Sequence, residues 1–220
     1  MILLAILLIL YLLDSERLKR QKSLLSVRSQ IAGNLHREVN ETLNNINVLS
    51  EIAKMKADKN IEQSKEFIDQ ISDKSKYMIE AMDDMLWTID PLNDNMRKTI
   101  LRIKEITEGF ITFYKCDIDL IVDHKVESLE LDMKQRHEFL FFYKETMSFL
   151  LQRLQTKQVF VNINQKRSKL LMEILTECEE KTNLKTVLGK VVKQRAEALG
   201  AHVEIMSDRK TLSVMLQVDL

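Results

Sequence analysis

The sequence predicts an α chain followed by an α+β unit: an antiparallel two-helix hairpin, then a layered sandwich of strands and helices. Three observations predict it. One proline and four glycines in 220 residues leave little to interrupt long helices. Two apolar heptad seams, Ala32 to Ala53 and Ile68 to Ile89, follow one another across a short polar stretch. Beyond Tyr114 the pattern changes to apolar runs and alternations of strand length, separated by two helical segments.

Residues 1–13, "MILLAILLILYLL", are apolar apart from the Tyr11 hydroxyl. A spanning helix needs about 20 such residues, so this run is short by itself. No small-residue cleavage site follows it, which argues against a secretory signal. Arg17, Lys19, Arg20 and Lys22 favour a cytoplasmic position for the chain after it. The expectation is the end of a membrane helix at the cell membrane, with residues 14–220 on the cytoplasmic side. The other reading is the buried start of a coiled coil. Residues 14–30 then form a helical linker.

Residues 31–113 read as the helical hairpin. Ala32, Leu35, Val39, Thr42, Ile46, Leu49 and Ala53 form the first seam, and Ile68, Ile71, Ser75, Met78, Met82, Met85 and Ile89 the second. The polar "KADKN" between them can turn. Stripes this narrow are not buried by one hairpin. Two hairpins pairing into a four-helix bundle would bury them, so a homodimer is expected. Pro91 bends the path, and a helix resumes near Met96 and runs to about Phe113. In residues 114–220, "DIDLIVD", "VFVNIN", "LLMEIL", "HVEIM" and "LSVMLQV" have strand length, and helices are expected over Met133–Gln155 and Leu184–Leu199.

Composition excludes several classes. Lys+Arg and Asp+Glu both number 33, so no electrostatic case for nucleic-acid binding exists. Cys116 and Cys178 have neither metal-site nor disulfide-framework spacing and fit a reducing compartment. His124, His137 and His202 have no partners at ligand spacing, so no metal site is expected.

Two blocks carry a family resemblance. The first is "IAGNLHREVNETLNNINVLSEIAK" (Ile31 to Lys54). The second is "MDDMLWTIDPLND" (Met82 to Asp94), with Trp, Pro and acidic residues at fixed offsets. They resemble the dimerisation and phosphoacceptor domain of sensor histidine kinases of two-component systems, in the subgroup with an "LHDEVGQTL"-type box. "YKETMSFLLQRLQT" and "QRAEALGAHVEI" are similar to parts of the ATP-binding α/β sandwich of the same family. The resemblance covers nearly the whole chain after its apolar start. It implies a phosphoacceptor imidazole at His36, bound ATP and Mg²⁺, a homodimer, and a response regulator or an active histidine kinase as partner.

Departures from the family pattern fall at the chemistry. The acidic residue that follows the phosphoacceptor and takes its proton is here Arg37, a permanent cation. Glu38 lies about 200° round the helix from His36. The amide or hydroxyl five residues after the histidine is Glu41, whose charge would repel a phosphohistidine. The Mg²⁺-binding Asn aligns with Phe149, although Glu145 is retained as the one candidate nucleotide-site residue. Gln152 and Arg153 replace a Lys-His pair. Thr176, Cys178 and Glu180 stand at the Asp and Gly places of "D-x-G-x-G", and the lid has shrunk to "KTNLKTVLGK" with Gly189 alone. Phosphate cradles need glycine-permitted turns and electropositive surroundings, which Glu177, Glu179 and Glu180 do not supply.

The leading expectation is a membrane-anchored signalling dimer of this family, a pseudokinase that binds ATP and Mg²⁺ weakly or not at all. Three alternatives stand beside it: a divergent active kinase that phosphorylates His36, a phosphotransfer module that receives phosphate on His36, and a purely structural coiled-coil dimer.

Overall fold

The computed structural model describes residues 2–177, 184–208 and 210–220, with some side chains of the first helix, His36 among them, outside that description. The chain divides into two compact units, Met1–Leu92 and Asn93–Leu220.

The first unit is a helical hairpin, α1 (Ile2–Ala57) and α2 (Ile61–Ile89). The "KADKN" turn closes as expected: the Asn60 N–H bonds the Lys56 carbonyl at 2.7 Å, and the Asn60 side chain caps α2 by accepting from the Gln63 N–H at 3.0 Å. The buried Ser64 hydroxyl donates to the Ala53 carbonyl across the hairpin at 3.0 Å. Ala53, Met85 and Thr88 are buried along the inner faces. α2 stops where Asp90 is forced into extended backbone by the proline that follows it. Pro91–Asn93 form one 3₁₀ turn, into which the Leu92 N–H donates to Asp90 Oδ1.

The second unit begins upstream of the expected boundary at Tyr114. α3 (Met96–Tyr114), grouped with the hairpin on sequence, packs instead against the sandwich. Its seam of Met96, Ile100 and Ile103 is wholly buried, and the Thr107 hydroxyl meets the Tyr143 hydroxyl at 2.5 Å. Amphipathicity told that α3 has a partner surface but not which one.

The remaining elements are β1 (Asp117–Val122), α4 (Met133–Phe149), β2 (Gln158–Lys166), β3 (Lys169–Glu177), α5 (Leu184–Leu199), β4 (His202–Ser207) and β5 (Thr211–Asp219). All five predicted strands are present, in one mixed sheet of order β1-β2-β3-β5-β4. β1 pairs with β2 in parallel, and α4 lies in the crossover; the other pairs are antiparallel. Alternate residues of β2, β3 and β5, such as Val161, Met172 and Val214, are fully buried, so one sheet face carries the helices. Against it stand Phe139, Phe142 and Tyr143 of α4 and Leu188, Val192 and Ala196 of α5.

Local chemistry sets the element ends. A capping box of Asp132 and Gln135 starts α4. α4 leaves through a π turn, Leu150–Leu154, which ends at Gln155 in the left-handed region. α5 ends in a Schellman motif. Gly200 takes φ 68°, its N–H bonds the Glu197 carbonyl at 3.1 Å, and the Ala201 N–H bonds the Ala196 carbonyl at 2.8 Å.

Candidate functional site

α4 presents Glu138, Phe141 and Glu145 at spacings of three and four, which puts them on one stripe of the helix. That stripe meets Arg195 of α5. The guanidinium donates from Nε (3.0 Å) and Nη2 (2.7 Å) to Glu145 Oε1, and from Nη1 (3.2 Å) to Glu138 Oε2. Its carbon centre stands 5.0 Å from the centroid of the Phe141 ring. The His137 imidazole stacks on that ring at 4.3 Å between centroids, and its Nδ1 is 3.3 Å from Glu138 Oε1.

Burial pushes the Glu138 carboxyl up, but the His137 hydrogen bond and the Arg195 charge outweigh it and hold the group below its ordinary value. Burial likewise lowers the Arg195 guanidinium, and its bonds to Glu145 and the two carboxylate charges reverse this, leaving it raised. The cluster thus fixes two anions and one permanent cation between two helices.

The residues singled out on sequence fall on several elements. His36 lies on the backbone of α1, but its side chain is outside the described residues. Arg37 and Glu41 are exposed on the same helix. Glu145, the candidate nucleotide-site residue, is the Arg195 partner just described. Phe149 is the last residue of α4 and half-buried where the π turn begins. Gln152 Nε2 donates to the Tyr114 hydroxyl at 2.8 Å. Thr176 is buried in β3, and its hydroxyl donates to the Gln158 carbonyl of β2 at 2.8 Å, so it joins two strands. Cys178, Glu179 and Glu180 lie outside the described residues. Gly189 is inside α5, where an added Cβ would meet only Ile205 Cδ1, at 3.8 Å, an ordinary contact.

Among the described residues, no group of His, Cys, Asp and Glu could hold a metal ion, and no helix is long and apolar enough to cross a membrane. Positive φ among them occurs at Lys115, Gln155, Arg167 and Gly200, each at a helix end or hairpin turn. The cluster around Arg195 was not foreseen. Its signal was present as two glutamates seven apart on α4 and an arginine in "QRAEALG", but sequence alone did not join them.

No family model matches the chain, and no curated protein matches it in sequence. Solved structures do match in fold. The blue-light activated histidine kinase of Erythrobacter litoralis EL346 matches with a TM-score of 0.52 at 11% identity, over 84% of this chain and 60% of that chain. The histidine kinase AdeS of Acinetobacter baumannii matches with a TM-score of 0.49 at 10% identity, over 80% of this chain and 96% of that one. A histidine kinase catalytic domain, that of ThkA, matches 57% of this chain with a TM-score of 0.43 at 13% identity. The likeness to the Erythrobacter litoralis protein shows the fold alone, a helical hairpin followed by an α/β unit as in that histidine kinase.

Proposed function

We propose that this chain is a pseudokinase: a signalling dimer of the sensor histidine kinase type that works without hydrolysing or transferring phosphate from ATP. The observation that carries the reading is the engagement of Glu145. The one retained residue of the nucleotide box has its Oε1 doubly bonded by Arg195. At the adenine-reading place Thr176 gives its hydroxyl to a strand carbonyl, and Phe149 offers no oxygen where the family places a Mg²⁺ ligand.

Dimerisation is supported by α2. Ile61, Ile68, Ile79, Met82 and Leu86 are exposed at heptad-related spacings on a helix that also packs on α1. A second hairpin would cover that stripe and complete a four-helix bundle. Membrane attachment through residues 1–13 rests on their apolar run and the basic cluster behind them. Signal would then pass through helix packing to an active histidine kinase or a response regulator.

The test is calorimetric titration of residues 14–220 with Mg-ATP, followed by a search for acid-labile phosphate on His36. No heat and no label are expected. Micromolar binding with label on His36 would instead establish a divergent active kinase. Label supplied only by an active relative would establish a phosphotransfer role.

A further inference from the structure

We propose that Arg195 is a resident counter-cation: it joins Glu138 and Glu145 and holds α4 and α5 together with no nucleotide or divalent ion bound. This deepens the pseudokinase reading and rests on it for the place of ATP, but the contacts themselves stand independently.

The geometry is specific. One side chain from α5 reaches two carboxylates that lie 50 and 57 residues away in sequence and two helical turns apart on α4. Its planar fork gives three directed N–H bonds, which an ammonium on a flexible stem cannot reproduce. The cluster is partly withdrawn from water: the side chains of Arg195, Glu138 and Glu145 are 29%, 11% and 32% exposed. Phe141 lies beside the guanidinium, and its other neighbour is the stacked His137 ring.

Apolar burial alone does not fix how these helices sit. Leu188, Val192 and Ala196 of α5 are buried by apolar packing, which is non-directional. The ion cluster is directional and so sets the register of α5 on α4. Here Glu138 and Glu145 both have a cation already, and Glu138 has His137 as well.

The experiment uses the full chain in EDTA, as wild type, Arg195→Met, Glu145→Gln and the double variant. Hydrogen exchange is read on α5 and on β2–β3, together with the thermal midpoint. The expected result is exchange on α5 about tenfold faster in each single variant, with β2–β3 protection kept. The double variant should exchange no faster than Arg195→Met, because the same interaction is lost once. Arg195→Lys should fall between wild type and Arg195→Met, and adding Mg²⁺ to wild type should change nothing. Should Arg195→Met fail to fold, Arg195→Lys replaces it in the cycle. Additive effects of the two substitutions, or wild-type α5 protection that depends on Mg²⁺, would overturn the proposal. Heat from Mg-ATP with wild type would sink the pseudokinase reading, while the cycle in EDTA would still decide the role of Arg195.

Discussion

Thr107 and Tyr143 illustrate how one hydroxyl pair joins elements far apart in sequence. The Thr107 Oγ1 proton goes to the Ile103 carbonyl at 2.7 Å, so the Tyr143 hydroxyl donates to Thr107. Burial pushes the Tyr143 phenol up to about 12, with the Thr107 bond opposing it. Tyr143→Phe leaves Thr107 still bonded and should cost about 1 kcal/mol, whereas Thr107→Val strands a buried hydroxyl and should cost about 1–3 kcal/mol. Denaturant unfolding of the two variants checks the order. The raised phenol also sets an alkaline limit. Its contribution is fully present below the ordinary value of 10 and is lost as pH rises through about 12, and Tyr143→Phe should flatten that limb. Glu138 has the opposite sign. Its carboxyl is held below 4.5, so its contribution is present above that pH and disappears as pH falls beneath it. Acid unfolding of Glu138→Gln should lack this part of the pH dependence.

At the scale of elements, the end of α5 and the exposed stripe of α2 make separate predictions. Gly200 has nothing within 4 Å of an added Cβ, but its φ of 68° belongs to the left-handed region. Gly200→Ala should therefore destabilise by about 1 kcal/mol through backbone strain alone. Gly109 also has open space but sits inside α3, so Gly109→Ala should stabilise by about 0.5–1 kcal/mol. Opposite shifts of the thermal midpoint would separate backbone from packing effects. On α2, Leu86→Glu places a charge in the stripe proposed to face a second hairpin. Light scattering should give a monomer with helical content kept. A monomeric wild type, or a dimer that survives Leu86→Glu unchanged, would remove α2 from the interface.

At the scale of the whole molecule, the helical hairpin carries the blocks that resemble a phosphoacceptor domain, and the sheet unit carries those that resemble an ATP-binding sandwich. The two halves fold by different means. The hairpin is held by packing of α1 on α2 and a cap at Asn60, the sheet unit by pairings such as Val161 with Ile174 and Ile174 with Val214. Loss of one large core group should thus unfold the sheet unit selectively. Phe139→Ala, at a fully buried site, should cost about 3–5 kcal/mol. Far-ultraviolet dichroism should then retain the signal of α1 and α2 while the sheet contribution melts early.

The sequence by itself determined the elements: the Asn60 turn, the break at Pro91, the five strands and the span of α5 all follow from periodicity, caps and breakers acting within a few residues. It also marks Phe149, Thr176 and Arg37 as departures from the pattern it resembles, since such a departure is a matter of residue type. Only the tertiary structure decided where α3 packs, because an amphipathic face does not name the surface that covers it. The same holds for Glu145. On sequence a glutamate on α4 has no assigned partner, and its ion pair is with Arg195, 50 residues away in sequence and brought within 2.7 Å by the packing of α5 on α4. Directional contacts between distant segments exist only once the chain has folded, so no local pattern could have announced them.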